Sequence, residues 1–485
     1  MKRFITIALA VVMLLSLSIA ASAYDITITS ENTSGHTYEA YQIFAGKLAA
    51  DGKTLSNITW GSGVNGDAAL TSLKAMTAFA ACEDASDVAE VLSGITDADT
   101  IKAVAKVFAA NKTTAAASGA SPVSVADAGY YLIVDSTANP ASGETISDYM
   151  LKVVADVTIT AKDGKTTSQK KVKDANDTTG ATTDWQDSAD YDIGDAVPFQ
   201  LKAVITPDYD NYETYELIFH DNESDGLSFN NDAKVYVDGV EITDGFSVNT
   251  NPTDGDTFDV VFTDLKAISA VHANSVITVE YTSTLNTNAV IGAAGNPNEM
   301  HIEYSNNPNS GQTGTTPDDK VIVFTFKVVA NKVDEDNNAL VGASFELFKK
   351  VPAENEDGFT WESLGEIDGT NASTFTWEGI DDGEYKLVET KTPDSYNSID
   401  DIEFTVSAEH DTLSDNPTLT KLEGGDKFTG DVATGALSGD IVNKKGNTLP
   451  STGGIGTTIF YVLGGILVAG AAVMLITKKR MSAEG

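Results

Sequence analysis

A lysine, a glutamate and an asparagine in the last third of the chain have the types and the strand parity to bond covalently to one another. In FTFKVVANKV, Phe324, Phe326, Val328, Ala330 and Lys332 alternate, so a strand points Lys332 to the face of the aromatics. The same parity sets Glu389 with Tyr385 and Leu387, and Asn443 with Ile441. A lone charge on an apolar face is costly, but an amine, a carboxyl and a carboxamide buried together are a reaction set. Desolvation lowers the lysine pKa and raises the carboxyl pKa. The neutral amine can then attack the Asn443 carboxamide while a protonated Glu389 polarises it and carries protons; ammonia leaves and an amide remains. Parity permits this geometry, and equally permits three surface residues on edge strands.

The chain has the length to build a frame around such a set. Its 485 residues make room for roughly three domains, each with a core of its own. Lys2-Arg3, an apolar stretch from Phe4 to Ala20 and then Ala21-Ser22-Ala23 form the pattern of a secretory signal over residues 1–23. The apolar stretch is short for a membrane span, so cleavage is expected to leave Tyr24 at the mature N-terminus. The sequence has one cysteine, Cys82, so no intramolecular disulfide can form, although an exported chain would meet oxidising conditions. Covalent reinforcement must use other chemistry, for which lysines are candidates. The formal net charge of -40 opposes binding to nucleic acid or anionic lipid and favours a solvated exterior.

The elements read as mainly β. From residue 24 to 165 strands such as 25–30 and 130–134 alternate with an Ala-rich helical section from Asp67 to Ala110, giving an α+β first domain. Residues 166–318 carry short alternating strands, such as VPFQLKAVI from Val197 and KVYVDGVEI around an Asp238-Gly239 hairpin, and read as a β-sandwich. Residues 319–445 repeat those signals in a smaller sandwich, after a Gly/Thr/Pro-rich link from Ser310 to Pro317. An apolar run from Ile455 to Thr477, followed by Lys478-Lys479-Arg480, is long enough to cross a bilayer.

Before that run stands Leu449-Pro450-Ser451-Thr452-Gly453. Pentapeptide, span and basic tail, together residues 446–485, resemble the cell-wall sorting signal of sortase substrates, which implies cleavage between Thr452 and Gly453 and attachment to peptidoglycan. NKVDEDNNALVGASFELFK, YKLVETKTPDSY and IVNKKG resemble the signatures of the Cna-B type domain of Gram-positive surface proteins. That resemblance implies a Lys332–Asn443 isopeptide bond with Glu389 as catalyst. QKKVKDAND, TYELIFHDNESDGLSF and NEMHIEYSNNPNS resemble the middle domain of Spa-type pilins, which links an early lysine to a late asparagine beside an aspartate. Strand parity then selects Lys170, Asp221 and Asn306, with Lys171 and Asn307 as alternates. The implied fold is a tandem of immunoglobulin-like sandwiches, Cna-A-like and then Cna-B-like, behind the α+β domain. In the first domain, GYYLIVD places Asp135 where such a glutamate would sit, without a convincing lysine partner, and no cross-link is expected there.

Backbone pilins of this family use a lysine in a YPKN-like motif to attack the sortase acyl intermediate of another subunit. Lys162 in TAKD aligns with it, although Thr160, Ala161 and Asp163 replace the flanking residues; Lys165 competes, and an ordinary solvated linker lysine is the alternative. The resemblance implies a filament subunit that meets a class C pilin sortase, a housekeeping sortase, copies of itself, peptidoglycan and ancillary pilins. A monomeric anchored adhesin needs LPSTG but not Lys162. A surface enzyme finds little support: the five histidines are dispersed, and there is no GxSxG or phosphate loop. No cofactor and no metal are expected, and the acidic loop Asp254 to Asp259 reads as solvated charge.

Overall fold

The computed structural model describes residues 23–29, 35–138, 140–146, 148–160, 164–308, 311–354, 358–446 and 455–481. Near the N-terminus, Tyr24–Thr29 lies between Val123–Val125 and Val157–Thr160 in one small sheet. A second sheet runs Leu55–Trp60, Tyr38–Leu48, Gly129–Asp135, Tyr149–Val153. The central strand GYYLIVD is apolar on both faces because both are covered: Leu132 and Val134 join a core with Phe79, Val88 and Phe108, while Tyr131 and Ile133 join Ile26, Ile28 and Val153. The Ala-rich section forms helices Gly66–Leu73, Ala85–Gly94 and Ala98–Ala110. Asn65, Asp84 and Asp97 cap them, each side chain accepting from backbone N–H groups of the first turn.

The middle of the chain is a sandwich of two sheets around one core that includes Phe199, Leu217, Phe219, Phe258, Phe262, Val279 and Ile302. Thr167–Val172, Ala196–Val204 and Val276–Leu285 are consecutive neighbours in one sheet, and Leu217–Glu223 pairs with Asn296–Ser305 in the other. The Asp238-Gly239 hairpin forms with φ +49° and +81°, the left-handed pair that a two-residue turn needs, and Val237 faces Val240 across it. The strand Asp319–Phe324, which the sequence pattern assigns to the last domain, pairs with Asn296–Ser305 and so completes the middle sheet. The strand pattern breaks at Thr325, and Phe326–Val333 enters the next sheet.

That last sandwich packs a sheet ordered Thr374–Ile380, Phe326–Val333, Ala436–Val442, Thr429–Asp431 against a five-stranded one around Phe326, Phe345, Phe375, Tyr385 and Leu437. Its first and last long strands, Phe326–Val333 and Ala436–Val442, are parallel neighbours, with Lys332 opposite Ile441. The helix Ile455–Met481 contains a candidate span, Thr458–Met481, of 24 residues, long and apolar enough to cross a membrane and closed by Lys478, Lys479 and Arg480 in its last turn.

Candidate functional site: two buried lysine clusters

In the last sandwich, Lys332, Glu389 and Asn443 arrive from three strands. The parallel pairing brings Lys332 beside the end of Ala436–Val442, and Asn443 N donates to Val333 O at 3.1 Å, which fixes the amide just past the strand. Glu389 comes from Gly383–Lys391 in the facing sheet. The Lys332 and Glu389 side chains have no exposure, and Asn443 is fully buried. Lys332 Nζ donates to Asn443 Oδ1 at 2.5 Å and to Ile441 O at 2.9 Å. Asn443 Nδ2 donates to Glu389 Oε1 at 2.8 Å, and that oxygen lies 3.7 Å from Lys332 Nζ. The other carboxyl oxygen accepts from Thr392 Oγ1 at 3.0 Å and from Ile399 N at 3.3 Å, so the carboxyl is held from outside the triad. Burial pulls the Lys332 pKa down to about 8, and the nearby Glu389 charge offsets only part of that.

In the middle sandwich, Lys170 and Asp221 are both fully buried and ion-paired. Lys170 Nζ also donates to Tyr281 OH at 2.9 Å, and Tyr281 OH donates to Asp221 Oδ2 at 2.8 Å. Burial lowers the Lys170 pKa against the pull of Asp221, and burial raises that of Asp221. Asn306 is not at this place. It is buried, its backbone carbonyl accepts from Ile146 N at 2.8 Å, and its Oδ1 has no partner. The amide at the level of Lys170 is Asn298: its Nδ2 donates to Tyr281 OH at 2.9 Å, and its Oδ1 is buried without a partner. Asp221 faces Met300 across the sheet, and Lys170 N donates to Asp319, which also faces Met300. Asn306 lies eight residues beyond Asn298, or roughly 26 Å at strand rise. Both residues point inward because they share parity; parity gives the face of a strand but not the level along it. Of the alternates, Lys171 pairs with Asp187 and Asn307 Nδ2 donates to Gln312 at 3.1 Å.

Other sequence candidates fall elsewhere. Asp135 meets His36 Nδ1 at 2.6 Å, with Glu144 3.2 Å from the other ring nitrogen. In the acidic loop, Asp254, Asp256 and Asp259 gather round His220 Nδ1 at 3.5, 3.3 and 3.1 Å. Lys165 is exposed and bridges to Glu144. Lys162 and the motif Leu449, Pro450, Ser451, Thr452 and Gly453 lie outside the described residues. A further buried lysine is not among the sequence candidates: Lys349 Nζ donates to Asp177, Asp192 and Asp381 at 2.8, 2.7 and 2.6 Å, tying the last sandwich to the middle one.

Three family models match in chain order: a Gram-positive pilin backbone subunit 2, Cna-B-like domain at residues 193–308, a SpaA prealbumin-like fold domain at 326–418, and an LPXTG cell wall anchor motif at 441–482. These matches make the chain similar in its parts to Gram-positive pilin backbone subunits, and its anchor match and terminal helix fit a membrane-held precursor of a wall-anchored surface pilin. Among its relatives is the trypsin-resistant surface T6 protein of Streptococcus pyogenes serotype M6, 24% identical. That match covers 54% of this chain and 60% of the relative's length. The solved T6 backbone pilin of serotype M6 Streptococcus pyogenes, a modular three-domain structure, superposes with a TM-score of 0.58 at 16% identity. The superposition covers 89% of this chain and all of that one, so the two share a fold.

Proposed function

We propose that this chain is the backbone subunit of a covalent surface pilus, joined head to tail by a class C pilin sortase, handed to peptidoglycan by a housekeeping sortase, and stiffened by two self-made Lys–Asn bonds. The observation that carries this reading is the 2.5 Å approach of Lys332 Nζ to the Asn443 carboxamide, in a sandwich that ends just before the anchor motif. The Lys332 amine, partly neutral because it is buried, attacks Asn443 Cγ. Glu389 Oε1 lies between the amine and the leaving nitrogen, so it takes the amine's proton and passes one to that nitrogen. The C–Nδ2 bond breaks, ammonia leaves, and Nζ–Cγ remains. In the middle sandwich the same reaction joins Lys170 to Asn298, which replaces Asn306 as the acceptor on the ground of level.

An amide between neighbouring first and last strands prevents them from separating when the filament is pulled. Each bond forms once per molecule, so the chain is a building block and not a turnover enzyme. Head-to-tail joining through Thr452 and a lysine at the first boundary is a heterologous contact that does not close, and it therefore produces a filament. Lys162 is the preferred nucleophile and Lys165 the alternative; ancillary pilins would join the same filament. The test is a blot of cell-wall extracts boiled in SDS, comparing native protein with Lys162→Ala, Lys165→Ala and a sortase deletion. A high-mass ladder that collapses with the deletion and with one lysine variant supports the pilus and identifies the lysine. A single anchored band in the native strain refutes it.

A further inference from the structure

The two candidate cross-linking sites differ in how the acid reaches the amide. Glu389 bonds the Asn443 Nδ2 directly, at 2.8 Å. Asp221 has a side chain one methylene shorter, and its Oδ2 is engaged by Lys170 Nζ and by Tyr281 OH. What touches the Asn298 amide nitrogen is the Tyr281 hydroxyl, at 2.9 Å, and the same hydroxyl accepts from Lys170 Nζ at 2.9 Å. One oxygen thus meets the nucleophile, the acid and the leaving group.

We propose that Tyr281 is a catalytic residue of the middle cross-link, relaying a proton from Asp221 to the leaving nitrogen of Asn298. This rests on the Lys170–Asn298 reading given above. As Lys170 Nζ attacks Asn298 Cγ, its proton passes to Asp221 Oδ2. Tyr281 then gives its hydroxyl proton to Nδ2 and recovers one from Asp221, so that ammonia leaves and the tyrosine and aspartate end as they began. Packing fixes the direction of the hydroxyl, because the ring stacks on Phe199 at 5.4 Å and meets Phe258 and Phe229 edge-on at 5.0 and 5.5 Å. The competing acid is Glu223, which faces Asn298 across the sheet and has one oxygen, Oε2, with no partner.

The test follows cross-link formation in the full chain by pulse-labelled expression, proteolysis and mass measurement of the Lys170–Asn298 and Lys332–Asn443 peptides. Tyr281→Phe keeps the ring packing and removes the hydroxyl. The expected result is slowing of the middle bond by about 100-fold or more, the usual scale of a lost general acid–base group, with the Lys332–Asn443 bond forming at its native rate. Formation of both bonds at native rates in Tyr281→Phe overturns the relay. A block in Glu223→Gln but not in Tyr281→Phe overturns it also, and moves the role to Glu223. If native chain yields no Lys170–Asn298 peptide, the underlying reading fails instead. Should Tyr281→Phe not fold, uniform 3-fluorotyrosine, a near-isosteric and more acidic phenol, is expected to change the rate of the middle bond alone; equal rates at both sites with and without fluorine overturn the relay.

Discussion

Lys332 and Lys349 lie in the same sandwich, both with their side chains almost wholly out of water, and they have opposite fates. Lys332 meets a carboxamide and a single carboxyl, and burial wins: its pKa falls to about 8. Lys349 meets three carboxylates within 2.8 Å, with Asp195 close by. There burial is overcome by Asp381 and Asp192, and the pKa rises. A buried lysine becomes a nucleophile only where its counter-charge is too small to hold the proton and an electrophile stands in contact. Lys349 satisfies neither condition and acts as an ionic clamp between the last two sandwiches.

The sharpest break of this contrast is Glu389→Gln. It is expected to leave Lys332 and Asn443 unjoined, so that intact mass is higher by one ammonia than cross-linking would give. It is also expected to lower stability by about 4–5 kcal/mol, by analogy with a disulfide closing a loop of roughly 100 residues. Denaturant unfolding and intact mass together check it; loss of ammonia at the native level in the variant would contradict the role given to Glu389. The next largest effect belongs to Lys349→Met. It strands buried carboxylates and is expected to cost about 3–5 kcal/mol, with no change in either cross-linked peptide. Loss of the Lys332–Asn443 peptide in that variant would dissolve the distinction between the two lysines.

Much of this was legible because strand parity is a strict geometric rule. It assigned the inward faces of Lys170, Asp221, Lys332, Glu389 and Asn443, all of them buried. The Ala-rich helices and the Asp-Gly hairpin were equally legible, the first through composition and the second through a turn that demands positive φ. Parity also carries a signal for the clamp: Phe345, Leu347 and Lys349 alternate just as Val328, Ala330 and Lys332 do. Level along a strand was not legible, because it depends on which residue of a distant strand lies opposite; Asn298 and Asn306 are therefore indistinguishable by parity. Tyr281 was hidden for a related reason. It sits in the inward row of an ordinary alternating strand, and only the pairing of three other strands gives its hydroxyl a purpose. The join at Thr325 is masked in the sequence because Phe324 and Phe326 read as one continuous run.

The smallest expected effect concerns pH at the clamp. Around Lys349, burial and the Asp192 charge raise Asp195 to about 6; nearby, burial and the Asp190 charge raise Asp382 to about 6 and Asp174 to about 7. His410 is raised too, against its burial, by Asp190 and Asp174. Folded carboxyls with raised pKa hold protons that the unfolded chain has released above about pH 4, so their contribution falls as pH climbs from about 4 to 7. His410 acts in the same direction: its contribution is present below its ordinary value of 6.5 and is lost as pH rises through the folded value. The join between the last two sandwiches should therefore loosen between pH 5 and 7.5. Calorimetry at the two pH values is expected to show a drop of a few degrees, flattened in Asp174→Asn/Asp382→Asn. His36 is also raised, against burial, by Asp135 and Glu144, so it titrates in the same direction in the first part of the chain, and the double variant leaves it in place. An unchanged slope in that variant would mean that Asp174 and Asp382 do not carry the pH response, and would leave it with Asp195, with His36 or with Glu223 of the middle sandwich, which burial and the Asp221 charge raise to about 7.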